Sequence, residues 1–80
     1  MGSSGQVSLK EIRKALDDCA PGAVVELKLH HYWVTYSGKT FRGLPSGKHG
    51  KTNPEIESGV VKKMSRFLGV LKCMQAKLSI

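Results

Sequence analysis

The chain has 80 residues, with 13 Lys and Arg against 6 Asp and Glu, and therefore carries a formal charge of +7. A chain of this length buries only about 60% of the surface that it exposes when unfolded, so we expect one small core and no deep active-site cavity. No apolar run approaches the roughly 18 residues of a membrane-spanning helix, and the start does not have the pattern of a signal peptide. These features predict a cytoplasmic protein with no membrane partner.

The chain contains two cysteines, Cys19 and Cys73. Two cysteines are too few for a disulfide scaffold, and their separation does not match the paired spacing of metal-ligating cysteines. We therefore expect buried or free thiols, and neither a structural metal nor a cofactor.

The positive charge lies in the second half of the chain. Residues 1–36 hold four basic and four acidic side chains, whereas residues 37–80 hold nine basic and two acidic side chains. Such asymmetry is typical of a surface that faces a polyanion, because each neutralised phosphate releases counterions. A solvated basic face is the alternative. A membrane surface is disfavoured, since the basic residues alternate with polar turns and do not follow one long amphipathic helix.

The chain begins with an uncharged stretch rich in glycine and serine. We assign residues 1–7 to a disordered or tag-like terminus and residues 8–80 to a single domain. Ser8 and Glu11 fit a capping box, in which each side chain accepts a hydrogen bond from the backbone of the other residue. Apolar residues at helical spacing follow until a proline-glycine pair, which predicts a helix over about residues 8–19.

From residue 23 to residue 36 the apolar period changes to two, which predicts strand structure. In a continuous strand His31 and Trp33 would share the inner face, with Trp33 packed in the core and not stacked on bases. Fourteen residues are long for one strand in so small a domain, so we expect a break or tight reversal near residues 29–31. A glycine-containing turn then leads to a short returning strand that Pro45 ends.

The remaining chain predicts a basic loop and a basic helix. Residues 45–53 contain two glycines, two lysines and a histidine without any periodicity, which is typical of a loop. Ser58 or Gly59 then caps an amphipathic helix, which alternatively begins at Asn53-Pro54 with the proline at its first position, and Gly69 stands where a left-handed C-cap is needed. Residues 70–80 form a further helical turn or two, or dock loosely.

Two stretches of the chain resemble the HicA toxins, which are small mRNA interferases with a double-stranded-RNA-binding-domain-like (dsRBD-like) fold. The first runs from His31 to Pro45 and looks like the family's pattern of histidine, strand, glycine turn, strand and proline. The second, residues 55–70, looks like its run of Glu-aliphatic, glycine, basic, aliphatic and Gly-aliphatic positions. With the first helix, the similarity covers about residues 8–70. His30 stands where the family usually has glycine.

The resemblance implies a small two-layer α+β domain in the order helix, two or three antiparallel strands, helix, which is also the order that the local patterns predict. It implies the toxin of a type II toxin–antitoxin pair, a metal-independent endoribonuclease that binds and cleaves mRNA and has a cognate HicB-like antitoxin as its partner. It assigns catalysis to His31 alone. An imidazole suits this role because it can take a proton from the ribose 2′-hydroxyl or give one to the leaving oxygen.

The candidate RNA-binding residues are the basic side chains of the hairpin, the loop and the second helix: Lys39, Arg42, Lys48, His49, Lys51, Lys62, Lys63 and Arg66. Cations of the hairpin and loop would meet the charge that develops on the phosphate. Two other interpretations stay open, namely a non-catalytic nucleic-acid-binding module of the same fold and a protein-binding adaptor with an acidic partner. In a purely structural role, His31 would be a hydrogen-bonded, inert residue of the inner sheet face.

Overall fold

The computed structural model describes residues 5–45 and 54–80. The elements in chain order are β1 (Gln6–Ser8), α1 (Leu9–Cys19), β2 (Val24–Lys28), β3 (His31–Tyr36), β4 (Lys39–Pro45), β5 (Glu55–Glu57), α2 (Ser58–Leu68) and α3 (Leu71–Leu78). Strands β2, β3 and β4 form an antiparallel sheet in that order, and β1 pairs with β5. The domain measures 31 × 30 × 17 Å and is a small two-layer α+β domain, as predicted. None of the described helices is long and apolar enough to cross a membrane.

Helix α1 begins at the predicted capping box. The Ser8 hydroxyl accepts a hydrogen bond from the Glu11 amide at 3.3 Å, and Glu11 Oε1 accepts one from the Ser8 amide at 3.4 Å. Val7 and Ile12, on either side of the cap, are both buried. The helix continues to Cys19, which confirms the predicted extent.

The described structure includes residues ahead of the capping box. Gln6 and Val7 form β1 with Ser8 and pair with β5 in antiparallel register. The Ser58 amide also donates a hydrogen bond to the Gly5 carbonyl at 2.6 Å. Gln6 and Val7, which the composition assigned to a tag-like terminus, are therefore strand residues. Their partner strand lies far along the chain, so local composition carries no sign of the pairing.

The predicted reversal between β2 and β3 is present as a two-residue turn, residues 29–30. Lys28 and His31 flank this turn and pair with each other across the two strands. Because cross-strand partners lie on the same face of a sheet, His31 and Trp33 share the outer face with Lys28. The prediction that His31 and Trp33 lie on the inner face is wrong, because the turn shifts the alternation by one residue. The inner face instead carries Tyr32, which is buried.

The β3–β4 connection is the predicted glycine turn. Ser37 and Gly38 have φ values of 52° and 81°. A two-residue type I′ turn requires positive φ at both central positions and matches the twist of the strands that it joins. The turn pairs Tyr36 with Lys39 and returns the chain as β4, which ends at Pro45.

Helix α2 lies on the inner side of the sheet, at β4. It packs along β4, where the rings of Phe41 and Phe67 lie with their centroids 5.9 Å apart. Val61 and Met64, two residues of this helix, are fully buried. The helix starts at Ser58 with Glu57 as its N-cap, so the predicted cap at Ser58 or Gly59 lies at least one residue too late. Its end at the left-handed Gly69, with φ 81°, is as predicted. With α2 on the inner side, the charged residues of the opposite face stay exposed.

Helix α3 docks on α1, and a disulfide joins them. Met74 is fully buried between the helices and the core, and Lys77 Nζ lies 3.1 Å from an oxygen of Asp18. Cys19 and Cys73 form a disulfide, with their Cα atoms 5.6 Å apart. The expectation of free or buried thiols is therefore wrong. The docking of α3 brings together two cysteines that are 54 positions apart, which the sequence spacing alone does not show.

Removal of the disulfide should destabilise the domain. A cross-link between residues 54 positions apart restricts the unfolded chain, and closing a loop of that length is worth about 4 kcal/mol. Cys73→Ser should lower the free energy of unfolding in urea by about this amount. Dithiothreitol should destabilise the wild-type protein equally and leave the variant unchanged. A wild-type urea midpoint that does not move on reduction would contradict the bond.

Leu29 should be an unfavourable residue for the β2–β3 turn. Its φ is 56° and its side chain is 91% exposed, so the left-handed conformation, which costs about 1–2 kcal/mol, is not offset by burial. Leu29→Asn should raise the free energy of unfolding by about 0.5–1 kcal/mol, because Asn tolerates this conformation. His30→Asn, at a turn position without positive φ, is the matched control. Equal gains from both substitutions in thermal melts would contradict the assignment.

Candidate nucleic-acid interface

The outer face of the sheet has an irregularity at Trp33, in the middle of β3. The register on either side leaves two residues of β4, Arg42 and Gly43, opposite this single residue. Such a β-bulge increases the local twist and redirects the side chains of the bulged strand. The Phe41 ring lies so close to Gly43 that an added Cβ would come within 3.1 Å of it. A larger residue at this position would displace the ring, so glycine suits the bulge.

Cations from both flanking strands lie over the Trp33 ring. Lys28 Nζ, from β2, is 5.0 Å from the ring centroid, and Arg42 Cζ, from β4, is 4.7 Å from it. Both distances are within the range of cation–π attraction. Lys28 also forms an ion pair with Glu26 at 3.6 Å. We call these four residues, Glu26, Lys28, Trp33 and Arg42, the Trp33 cluster.

His31 lies beside the Trp33 cluster on the same face. It pairs in register with Lys28 on one side and Pro45 on the other, and it is exposed. Alternate residues of a strand are about 7 Å apart, which is the spacing between His31 and Trp33 along β3. The His31 imidazole makes no hydrogen bond with any residue in 5–45 or 54–80. It is therefore accessible from solvent. In the purely structural role considered above, His31 would instead be a hydrogen-bonded residue of the inner sheet face.

The predicted binding residues do not form one patch. Arg42 belongs to the Trp33 cluster, whereas Lys39 pairs with Tyr36 at the far end of β3, about 17 Å from His31 along the strand. Three others lie on α2, in the helical layer: Lys62, Lys63 and Arg66. Three more lie outside the described residues: Lys48, His49 and Lys51. Proximity in sequence therefore grouped cations that the fold separates.

The charge distribution does not point to Lys28 as a site residue. Lys28 lies in the neutral first half of the chain, yet the β2–β3 pairing brings it to His31 and Trp33. The alternation of the strand also assigns Trp33 to the core, whereas it is half-buried on the outer face. The predicted reversal is the signal that could have corrected both assignments, because a two-residue turn at 29–30 makes Lys28 and His31 partners.

A separate hollow of about 1110 Å³ lies between β1, α1 and the C-terminal residues. Its lining carries Glu11, Asp18 and Glu55 together with Lys14 and Lys77, and it includes none of the predicted site residues that the structure describes. This mixture of charges is unsuited to a polyanion. Across residues 5–45 and 54–80, no three His, Cys, Asp or Glu side chains are placed to hold a metal ion. The expectation of a metal-free reaction stays a prediction.

No protein-family model, curated protein or solved structure matches this chain. The resemblance to HicA toxins therefore depends on the two sequence stretches that carry it. The order of helix, antiparallel strands and helix agrees with the fold that the resemblance implies. Because one small fold serves many functions, function has to be argued from the outer sheet face itself.

The contact between Trp33 and Arg42 should be measurable as a coupling energy. An exposed cation–π pair contributes about 0.5–1 kcal/mol. In urea unfolding followed by circular dichroism, the double variant Trp33→Leu/Arg42→Ala should lose less stability than the two single variants together, by about that amount. Trp33→Leu combined with Lys72→Ala, an exposed lysine of α3, should be additive. Additivity in both pairs would contradict the contact.

Proposed function

We propose that this protein is a metal-independent endoribonuclease that cleaves mRNA and acts as the toxin of a type II toxin–antitoxin pair. The observation that carries the proposal is the position of His31, exposed on an open sheet face next to Lys28 and within reach of the Trp33 cluster. An RNA strand supplies its own nucleophile, the 2′-hydroxyl, so the protein needs a proton acceptor and cations on a surface, and no deep cavity.

In this reaction His31 takes the proton of the 2′-hydroxyl as that oxygen attacks the adjacent phosphorus. The bond from phosphorus to the 5′ oxygen breaks, and this leaving oxygen receives a proton, which the His31 imidazolium can return. The products are a 2′,3′-cyclic phosphate and a 5′-hydroxyl. Arg42 and Lys28 favour the transition state, because their charges oppose the charge that develops on the phosphorane oxygens.

The proposal includes a cognate HicB-like antitoxin that covers the His31 face, and a cytoplasmic location. The basic residues of α2, Lys62, Lys63 and Arg66, are candidates for a second contact with RNA or with an acidic antitoxin. The disulfide between Cys19 and Cys73 bears on the location. Thiols are kept reduced in most cytoplasms, so in the proposed location this disulfide would be exposed to reduction.

A non-catalytic nucleic-acid-binding module is the second candidate. The observation that favours it is the absence, within the described part of the outer face, of a second free acid–base group beside His31. Glu26 is the only carboxylate among residues 24–45, and it is paired with Lys28. Salt-sensitive RNA binding without cleavage, equally strong in His31→Ala, would select this candidate.

Cleavage should depend on His31 and not on its neighbour. His31→Ala should abolish cleavage of single-stranded RNA measured in EDTA, because the other candidate base of the described outer face, Glu26, is paired with Lys28. His30→Ala is the matched control, since His30 is an exposed turn residue next in sequence, and it should cleave like the wild type.

The same variants separate toxin from binder in cells. Expression from a tightly regulated promoter should arrest growth for the wild type and His30→Ala, and not for His31→Ala. Circular dichroism should show the same fold for all three proteins. Cleavage that persists unchanged in His31→Ala would overturn the catalytic assignment.

A further inference from the structure

Arg42 has unused hydrogen-bonding capacity. A guanidinium carries five N–H donors in a rigid plane, a geometry that suits bidentate binding of phosphate. The Arg42 side chain lies over the Trp33 ring, with Cζ 4.7 Å from the centroid. It is exposed and makes no hydrogen bond or ion pair with any residue that the structure describes. The ring thus holds the guanidinium in place while its donors stay available for an anion.

The charges of the Trp33 cluster are not balanced. Lys28 is compensated by Glu26 at 3.6 Å, whereas Arg42 has no described acidic partner. Both cations lie within 5.0 Å of the same ring centroid, so they are at most roughly 10 Å apart, which is close to the Debye length of about 8 Å at physiological salt. Because Glu26 balances Lys28, the cluster keeps the positive charge of Arg42, which a bound anion would neutralise.

The Trp33 ring is a poor platform for a base. Its environment already contains one cation from each flanking strand, and a base that stacked there would have to displace them. An aromatic ring that positions an arginine contributes to nucleic-acid binding through that arginine. The ring itself needs no direct contact with the nucleic-acid strand. This arrangement favours contact with phosphate over contact with bases.

We propose that the Trp33 cluster is a phosphate-binding site, with Arg42 as the anchor and Trp33 as its positioning residue, and that the protein binds the sugar-phosphate backbone without reading bases at this point. The inference deepens the proposed function and rests on it for the identity of the polyanion. A phosphate bound to Arg42 would lie on the same sheet face as His31, near Trp33, which is two residues from His31 along β3. The scissile phosphate has to lie close to His31 in the proposed reaction.

Binding of DNA tests this site without involving cleavage, because DNA lacks the 2′-hydroxyl nucleophile. Fluorescence anisotropy would compare a labelled oligodeoxythymidine with an abasic oligonucleotide of the same length. We expect equal affinity for the two. If bases stacked on Trp33, the abasic strand would bind about fivefold or more weakly, and that result would overturn the inference.

Loss of the anchor should have a defined signature. Arg42→Ala should lower the affinity for both strands about tenfold and make the dependence of log K on log salt shallower by about 0.7, the value of one single-strand phosphate contact. Lys72→Ala removes the same charge from α3 and is the matched control, with a smaller effect. Arg42→Lys should recover only part of the affinity, because an ammonium has no fork geometry.

The role of Trp33 is tested by non-additivity. Trp33→Leu should weaken binding, and Trp33→Phe, which keeps an aromatic face, should restore most of the affinity. In the Arg42→Ala background, Trp33→Leu should have no further effect if Trp33 acts only through Arg42. A further loss in that background would show direct contact between the ring and the strand and would overturn the positioning role. Circular dichroism of each variant checks that the fold is retained.

The outcomes for the phosphate site and for the nuclease are separable. Binding of DNA through Arg42 by a protein that cleaves no RNA would support the phosphate site and overturn the nuclease. Cleavage of RNA together with unchanged DNA affinity in Arg42→Ala would overturn the phosphate site alone. Absence of any affinity of the wild type for both oligonucleotides at physiological salt would also overturn the phosphate site.

Discussion

Lys28 and His31 pair with each other across a two-residue turn, and the composition of the outer sheet face follows from that pairing. Because side chains alternate along strands, this register places Trp33 outside and the buried residues Tyr32 and Val34 inside. A slip by one residue would exchange the two sets, exposing the apolar residues of β3 and burying the imidazole. The burial of Tyr32 and Val34 in the core therefore holds the histidine and the cations at the surface.

The thinness of the domain suits a surface reaction. The shortest dimension of the domain is 17 Å, and the outer face of the three-stranded sheet is not covered by any helix that the structure describes. The bulge in β4 lies opposite Trp33 and redirects the side chains of that strand, and Arg42 lies over the Trp33 ring at this point. In the proposed reaction, neighbouring positions of this face would supply phosphate binding and proton transfer, and the substrate would contribute the nucleophile.

The third helix shows how a core of this size is completed. Helix α3 adds one fully buried side chain, Met74, to the core and is tied to α1 by the Cys19–Cys73 disulfide and the Lys77–Asp18 ion pair. The ion pair is half-exposed and adds little, so the covalent bond is the stronger constraint. It lies among the helices and not on the sheet, so the redox state of the cysteines affects stability without altering the outer face directly.

Local signals in the sequence determined the helix start at Ser8, the glycine turn at Ser37-Gly38, the end of α2 at Gly69 and the α+β class. Each depends on residues within a few positions of one another, whose conformational preferences act through local hydrogen bonds and sterics. His31 and Arg42 were also predicted as site residues, from the resemblance and the charge. Only the tertiary structure decided the face on which His31 lies, the contacts of Lys28 and Trp33, the β1–β5 pairing and the disulfide. These depend on strand register and helix docking between distant segments, and such pairings are set by the burial of the whole core and not by neighbouring residues.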